Sequence, residues 1–447
     1  MASTYLTRTP SSNGNLDKWT LSVWVKKSKI QVGATGAQYI ASAGTASIQN
    51  TVYFDNNDRL IIEYYKADVG NYYKKTNKVF RDTSAWYHIV AVWDTGNATA
   101  EDRMRLYVNG ERETSWQSSA DPGQDLDGFW NSTSYANNIG QLSGGTSRFD
   151  GLMSHLHFID GTVYTPSTFG STDSTTGEWK INTSPSVTYG TNGFFILKDG
   201  NSVTDQSGNS NNLTASGNLT NTEDCPSNVF ATLNPLTRQV AAQLASSPTN
   251  GSTTLTSGSG SAWGTLLSTI GASSGKYYCE AKLITLGSYA RLGICDMSVS
   301  QQNSADSWFV GQTSGSAQYG YNSGNGNLYT NAGDSSYGNS FTAGDIIGIA
   351  MDLDNSKLYF HKNGTYQNSG VPTSGSTGTG ATSITADKTY GFAISGYAST
   401  VWNVNFGNGY FGTTAISSEG TNASGIGKFE YDVPTGYTAL STKGLNE

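Results

Sequence analysis

Apolar and polar residues alternate with period two along almost the whole chain, in short runs broken by turn residues. The runs include TLSVWVK at 20 to 26, TVYF at 51 to 54, RLIIEYY at 59 to 65, WYHIVAVWD at 86 to 94 and MRLYVNG at 104 to 110. A strand with this alternation hides one side and wets the other, so its sheet must be backed by a second sheet. DNND at 55 to 58 and Asn109-Gly110 supply hairpin turns. Helical periodicity is confined to RQVAAQLAS at 238 to 246. With 53 Gly, 12% aromatic and only 13% charged residues, the composition is that of an all-β protein rich in turns. A single core stops growing at roughly 250 residues, so 447 residues imply two domains.

The expected fold is two antiparallel β-sandwiches of jelly-roll type in tandem. An N-terminal arm, 1–15, precedes a first sandwich at 16–234. A short helical and Gly/Ser/Thr-rich junction at 235–262, including the linker-like SPTNGSTTLTSGSGSA, leads to a second sandwich at 263–447 with a C-terminal extension. Heptads and short fibrous repeats are missing, which fits a head or knob better than a shaft.

A net charge of −8 and a pI of about 5.1 lack the basic footprint of a nucleic-acid binder. No stretch approaches the roughly 20 apolar residues of a membrane span, and MASTYLTRTPSSNGN lacks a signal peptide's apolar core. The expectation is a soluble protein made in a cytoplasm. Cys225, Cys279 and Cys295 have no zinc spacing and are too few to staple a secreted scaffold. If YYCEAKL and RLGICD paired as consecutive strands, matching Leu283 with Leu292 would send Cys279 and Cys295 to opposite faces, so three buried free thiols are expected.

The blocks TLSVWVK, AWYHIVAVWD, RLYVNGE and NIGQLSGG…FDGLMSHLHFIDGTVYTPSTFG resemble the laminin-G-like, concanavalin-type jelly roll over about 16 to 215. Members often carry an Asp-x-Ser-Gly-Asn segment before the sandwich; here Asp205, Ser207, Gly208 and Asn209 follow it. GKYYCEAKL at 275 to 283, RLGICD at 291 to 296, GDIIGIAMDLDNSKLYFHKNG at 344 to 364 and VNFGNGYF at 404 to 411 resemble an SPRY domain, a recognition module. Asp352, Leu358, Phe360, Asn363 and Gly364 stand in that family's register. The pair of modules, with TEDCPSNVFATLNPL and YDVPTGYTALSTKGL, is similar to structural proteins of marine tailed phages. The resemblance implies a virion protein, a tail fibre or surface appendage, assembled in the host cytoplasm as a closed homo-oligomer, a trimer foremost.

Glycoside hydrolysis would need two carboxylates a few ångströms apart. The nearest approach, Glu111 with Glu113, lacks a third acid, and His155 with His157 lacks a third metal ligand. A non-enzyme with no cofactor is expected. Calcium is the one ion with oxygen ligands on offer, at Asp55, Asp58, Asp205 and Asn209, although turn geometry already accounts for Asp and Asn there.

Binding is the better-supported role. The segment 115–138 carries Trp116, Phe129, Trp130 and Tyr135 among Asp and Asn, as a sugar-stacking plate would. Trp308, Tyr321 and Tyr337 are the matching candidates in the second sandwich. The alternative is that these rings fill the protein's own cores or pack on a neighbouring subunit. Trp24, Trp86, Trp93 and Trp402 sit inside motif strands and read as core. Lys26, Lys27 and Lys29, like Lys74, Lys75 and Lys78, read as edge-strand lysines that block sheet-to-sheet pairing. The expected partners are host cell-surface glycan or receptor, with other virion proteins as the alternative for a capsid or tail decoration, and a polysaccharide-degrading enzyme as a remote third.

Overall fold

The computed structural model describes residues 4–31, 36–145, 147–198, 202–237, 244–245, 247–298, 308–312, 317–330 and 333–446. The helix expected at 238–246 falls outside these but for 244–245, and Leu244 makes a β-bridge to Ser257. The chain divides into two compact units, Met1–Asn221 and Thr222–Glu447.

The first unit holds β1 (Tyr5–Arg8), β2 (Lys18–Lys27), β3 (Gln38–Gly44), β4 (Ile48–Phe54), β5 (Arg59–Lys66), β6 (Gly70–Val79), β7 (Trp86–Asp94), β8 (Met104–Val108), β9 (Glu111–Arg112), β10 (Trp116–Ala120), β11 (Asn137–Ile139), β12 (Gly151–Asp160), β13 (Gly170–Thr172), β14 (Trp179–Ile181), β15 (Phe194–Ile196) and β16 (Thr214–Ser216). An eight-stranded sheet in the order β10-β6-β5-β4-β3-β11-β1-β16 faces a six-stranded one in the order β15-β12-β2-β7-β8-β9. The expected N-terminal arm is therefore partly a strand, because β1 pairs β11 and β16 antiparallel. The core takes alternate residues from both sheets: Leu21, Val23, Ile89 and Ala91 from one, Val52, Phe54, Leu60 and Ile62 from the other. Trp19, Trp93, Trp130 and Phe158 form its aromatic centre, with Trp19 and Trp93 stacked at 6.5 Å.

The second unit holds β17 (Thr254–Thr256), β18 (Trp263–Leu267), β19 (Lys276–Thr285), β20 (Tyr289–Asp296), β21 (Gln318–Asn322), β22 (Asn327–Thr330), β23 (Gly333–Ser336), β24 (Ile346–Asp352), β25 (Lys357–Lys362), β26 (Thr365–Tyr366), β27 (Thr382–Ser383), β28 (Tyr390–Tyr397), β29 (Val401–Asn405), β30 (Tyr410–Phe411), β31 (Thr414–Ala415) and β32 (Thr438–Ala439). One sheet runs β17-β29-β19-β24-β25-β26, with β27 pairing β25 and β32 pairing β19 in parallel off that path, and the other runs β18-β28-β20-β21-β22-β23. Part of the expected linker is thus structural, since β17 pairs β29 and the unit begins upstream of the expected junction.

β19 and β20 are consecutive but lie in different sheets, because β19 pairs β24 and β29 while β20 pairs β21 and β28. The register argued for a β19–β20 hairpin does not arise. Cys279 and Cys295 are free and buried, and Cys225, expected to be buried, is free and half-buried. Both units tie off a hairpin in the same way. Asn109 and Asn363 adopt φ of 49° and 48° ahead of Gly110 and Gly364, as a type I′ turn requires. Each Asn side chain then accepts a neighbouring strand's amide at 2.8 Å, from His88 and Ile346 respectively.

The C-terminal extension is a third layer over the second unit. Along β19, Tyr277, Cys279 and Ala281 face the main core, so Tyr278 and Glu280 face the other way. There Tyr278, Tyr359, Phe429, Val433 and Tyr437 make a second core. Gly364 N–H donates to His361 Nδ1 at 3.1 Å, so His361 Nε2 carries the proton and donates to the Tyr278 hydroxyl at 2.6 Å. Tyr278 donates to Glu280 Oε1 at 2.9 Å, and the Glu430 and Tyr431 amides reach the same carboxylate at 2.8 Å. One buried polar chain thus fastens the extension to the sheet.

Candidate recognition surfaces

Folding draws most of the expected ligand-binding rings of the first unit inward. Phe129 and Trp130 are 6% and 1% exposed, and both belong to the core. Trp130 stacks on Phe158 at 4.7 Å, Phe129 stacks on Tyr64 at 5.0 Å, and Tyr135 meets Phe129 edge-on at 5.3 Å. Asn50 Oδ1, accepting the Phe129 amide at 2.7 Å, pins the segment. Trp116 is half-buried on the edge strand β10, with Lys74 Nζ 5.5 Å from its ring. The segment 115–138 therefore plugs the sandwich, and its rings do not form one exposed plate. Trp116→Ala is expected to leave binding to cells unchanged and to alter stability by about 1 kcal/mol or less, as measured by urea denaturation.

The calcium candidates are committed elsewhere. Asp58 accepts Lys27 Nζ at 2.5 Å, Arg81 Nε at 3.2 Å and the Gln31 amide at 2.9 Å. Asp55 pairs with Lys75 at 2.8 Å and accepts the Asn57 and Arg59 amides. Four of the six clustered lysines pair with acids: besides Lys27 and Lys75, Lys74 pairs with Asp121 at 2.5 Å and Lys78 with Glu113 at 2.6 Å. β2 and β6 are interior strands of their sheets, so an edge-guarding role does not hold for Lys26, Lys27, Lys74, Lys75 and Lys78. Asp205 accepts the Phe195 and Asn211 amides at 2.8 Å, and Asn209 Nδ2 donates to the Gly190 and Gly193 carbonyls. The Asp-x-Ser-Gly-Asn segment is a clasp on β15. Among the described residues no group of three or more His, Cys, Asp or Glu could hold a metal.

The expected alternation of His155 and His157 is interrupted. A β-bulge between Ser154 and His157 puts His155 at φ 46°. His155 Nδ1 meets Ser154 Oγ at 2.7 Å, and His157 Nδ1 meets the Tyr189 hydroxyl at 2.8 Å. His88 Nδ1 accepts the Trp179 indole N–H at 3.0 Å, so its Nε2 carries the proton and donates to Ser22 at 2.8 Å. Burial pushes the His88 pKa down to about 3 and His157 well below its usual value. Trp24 stacks on His88 at 4.9 Å, and like Trp86, Trp93 and Trp402 it is buried.

In the second unit Tyr321 and Tyr337 are core residues, 0% and 8% exposed, packed on Phe360. Trp308 is half-buried and its carbonyl accepts from Thr265 Oγ1 at 2.7 Å. The aromatic surface lies beside it, on the outer face of the six-stranded sheet. Leu266, Ile394 and Leu292 of β18, β28 and β20 point into the core, so the odd-numbered residues of these strands point out. Register aligns Trp263, Tyr397 and Tyr289 in one row, and Thr265, Ser395, Arg291 and Asn322 in the next. Trp263, 6% exposed, lies 5.4 Å from the half-buried Tyr397 and 6.1 Å from Tyr289, and only Tyr289, at 49%, is exposed. The sequence reading missed Trp263, Tyr289, Arg291 and Tyr397. Alternation places Tyr289 and Arg291 on one side of β20, but only the order β18-β28-β20 brings the other two beside them.

Two all-β recognition folds, each a pair of facing antiparallel sheets, define the class of this protein. Residues 2–168 match the laminin-G-type family described as the concanavalin A-like lectin/glucanases superfamily, and residues 276–382 match the SPRY domain. The chain thus carries a concanavalin A-like domain followed by an SPRY domain. Similar solved structures include the SPRY domain of human HERC1, at 21% identity over 38% of this chain and 96% of that one with a TM-score of 0.28. The PSpry domain of TRIM65 is similar at 10% identity over 39% and 88%, TM-score 0.29. A native heptameric SAP-like pentraxin from Limulus polyphemus is similar at 19% identity over 37% and 73%, TM-score 0.26. No curated protein matches the sequence.

Proposed function

We propose that the chain is a non-enzymatic recognition protein of a tailed-phage virion, a tail fibre or surface appendage that attaches the particle to host cell-surface glycan. The observation that carries this reading is the aromatic cluster on the outer sheet face of the SPRY unit, where the exposed Tyr289 and the half-buried Tyr397 pack on the buried Trp263 beside Arg291 and Asn322, themselves 6% and 4% exposed. Aromatic faces beside amides and a cation suit a sugar, which presents an apolar ring face and a rim of hydroxyls. Of the pair weighed for glycoside hydrolysis, Glu111 is exposed and Glu113 is buried and paired with Lys78; of the pair weighed for a metal, His155 meets Ser154 and His157 meets Tyr189. Fold alone leaves function open, and the virion assignment rests on the resemblance of the joining blocks to phage structural proteins.

A second reading, a decoration or adaptor contacting other virion proteins, is favoured by β23, whose four residues are all exposed at the edge of its sheet and free to add a strand. Gold-labelled antibody to the chain, imaged on intact particles whose genome encodes it, is expected to mark tail fibres or appendages at the host-facing end. Label confined to the capsid wall or tail tube supports the decoration reading, and unlabelled particles overturn the virion assignment.

A further inference from the structure

Arg291 is the least compensated charge of the shelf. Its side chain is 6% exposed, and the centroids of Phe309 and Tyr329 both lie 3.7 Å from its guanidinium carbon, with Trp263 at 4.8 Å. Nε donates to Asn322 Oδ1 at 3.1 Å, while Nη1 has no hydrogen-bond partner. Asp334, exposed on β23, attracts it only at longer range and spends Oδ2 on Asn327 at 2.7 Å. Ring faces offset part of the cost of burying a cation, but they give its N–H groups no acceptor. A planar fork of donors held rigid between two rings, with a donor in hand, is built to take a planar acid.

We infer that the outer face of the SPRY unit binds an acidic sugar, its carboxylate accepting from Arg291 and its ring stacking on Tyr289 beside Trp263 and Tyr397. The inference rests on the glycan reading above and names the ligand class. Nη1 is out of solvent contact and the residue is 6% exposed, so the acid meets Arg291 at the edge of the guanidinium, between the Phe309 and Tyr329 rings. Asn322, already fixed by Arg291 and by its own bond to Asn325 at 2.7 Å, keeps the fork in place. Tyr289, the most exposed ring, is free to stack without rearrangement.

The test is isothermal titration calorimetry of the full chain with linear oligogalacturonate and oligomannuronate, and with their carboxyl-reduced neutral counterparts. At least one acidic oligomer is expected to bind at least about 10-fold more tightly than its neutral form, with affinity falling as salt rises. Tyr289→Ala, at a half-exposed site where folding is not at stake, is expected to weaken that binding by about 10-fold. Arg291→Lys, checked for folding by circular dichroism, is expected to lower the acidic-to-neutral ratio, because an ammonium lacks the fork, and Arg291→Met to bring it close to one, because the charge is gone as well. Equal affinity for acidic and neutral oligomers, unchanged affinity in Tyr289→Ala, or no binding of either uronate overturns the inference. If neutral glycans bind while uronates do not, the glycan reading stands and the acidic ligand falls.

Discussion

Asp58→Ala is expected to lower the stability of the first unit by about 3–5 kcal/mol, measured as the shift of its urea unfolding transition. Lys27 and Asp58 are side chains of 1% and 0% exposure joined at 2.5 Å. Burial pushes the Lys27 pKa down, and the bond to Asp58 works against that shift. Lys27 also donates to the Phe80 carbonyl at 3.1 Å and lies 4.5 Å from the Phe54 ring centre, so it cannot swing out to water without opening the core. Removing Asp58 leaves this ammonium buried without its counter-ion and frees Arg81 and the Gln31 amide as well. Lys27→Met should cost less, since Asp58 keeps Arg81 and that amide. The double variant should cost less than the sum of the two, as for any pair that shares one interaction. A loss under about 1 kcal/mol for Asp58→Ala would contradict the buried-pair assignment.

Acid should weaken the first unit by about 3 kcal/mol between pH 6.5 and 5 and leave the second nearly level. His88 and His157 are held neutral by burial, with pKa values lowered in the fold. A base whose folded pKa is depressed gives full stability above its unfolded pKa, near 6.5, and loses it as pH falls, at about 1.4 kcal/mol per pH unit. Two such histidines act in the first unit; Asp150, raised by burial, offsets part of the loss where it titrates. In the second unit His361, lowered to about 3 by burial, pulls the same way. Its network partner Glu280, raised to about 7 by burial, pulls the opposite way. A raised carboxyl favours the fold most below its unfolded pKa of about 4.5 and loses that stability as pH climbs through 7. The two slopes cancel over this window. Calorimetry at pH 6.5 and 5, with the first-unit transition assigned through Asp58→Ala, checks this; equal shifts of both transitions would contradict it.

Strands, turns and the two-sandwich plan were legible because alternation and Asn-Gly turns are local signals. The Asn109 and Asn363 hairpins lie where their sequences place them. What was not legible depends on sheet partners. β17 lies in a Gly/Ser/Thr-rich stretch and gains its strand only by pairing Trp402 and its neighbours on β29. β19 and β20 follow one another yet close different sheets, which no short-range pattern reveals. The same non-locality explains the site. Phe129 and Trp130 have the composition of an exposed loop but fold into the core, whereas Tyr289 and Arg291 sit in a strand and turn to the outer face of their sheet because its other face carries Leu292 into the core. Lys27 and Lys74 were misread for a related reason: their acids, Asp58 and Asp121, arrive from distant turns.

Retention of the full chain and of Tyr289→Ala on a printed library of bacterial surface glycans tests the account most directly. Saturable retention of the wild-type chain is expected on a subset rich in acidic sugars, and its loss in Tyr289→Ala at unchanged thermal stability. No glycan held above background by the wild-type chain, or identical retention by the variant, would contradict it.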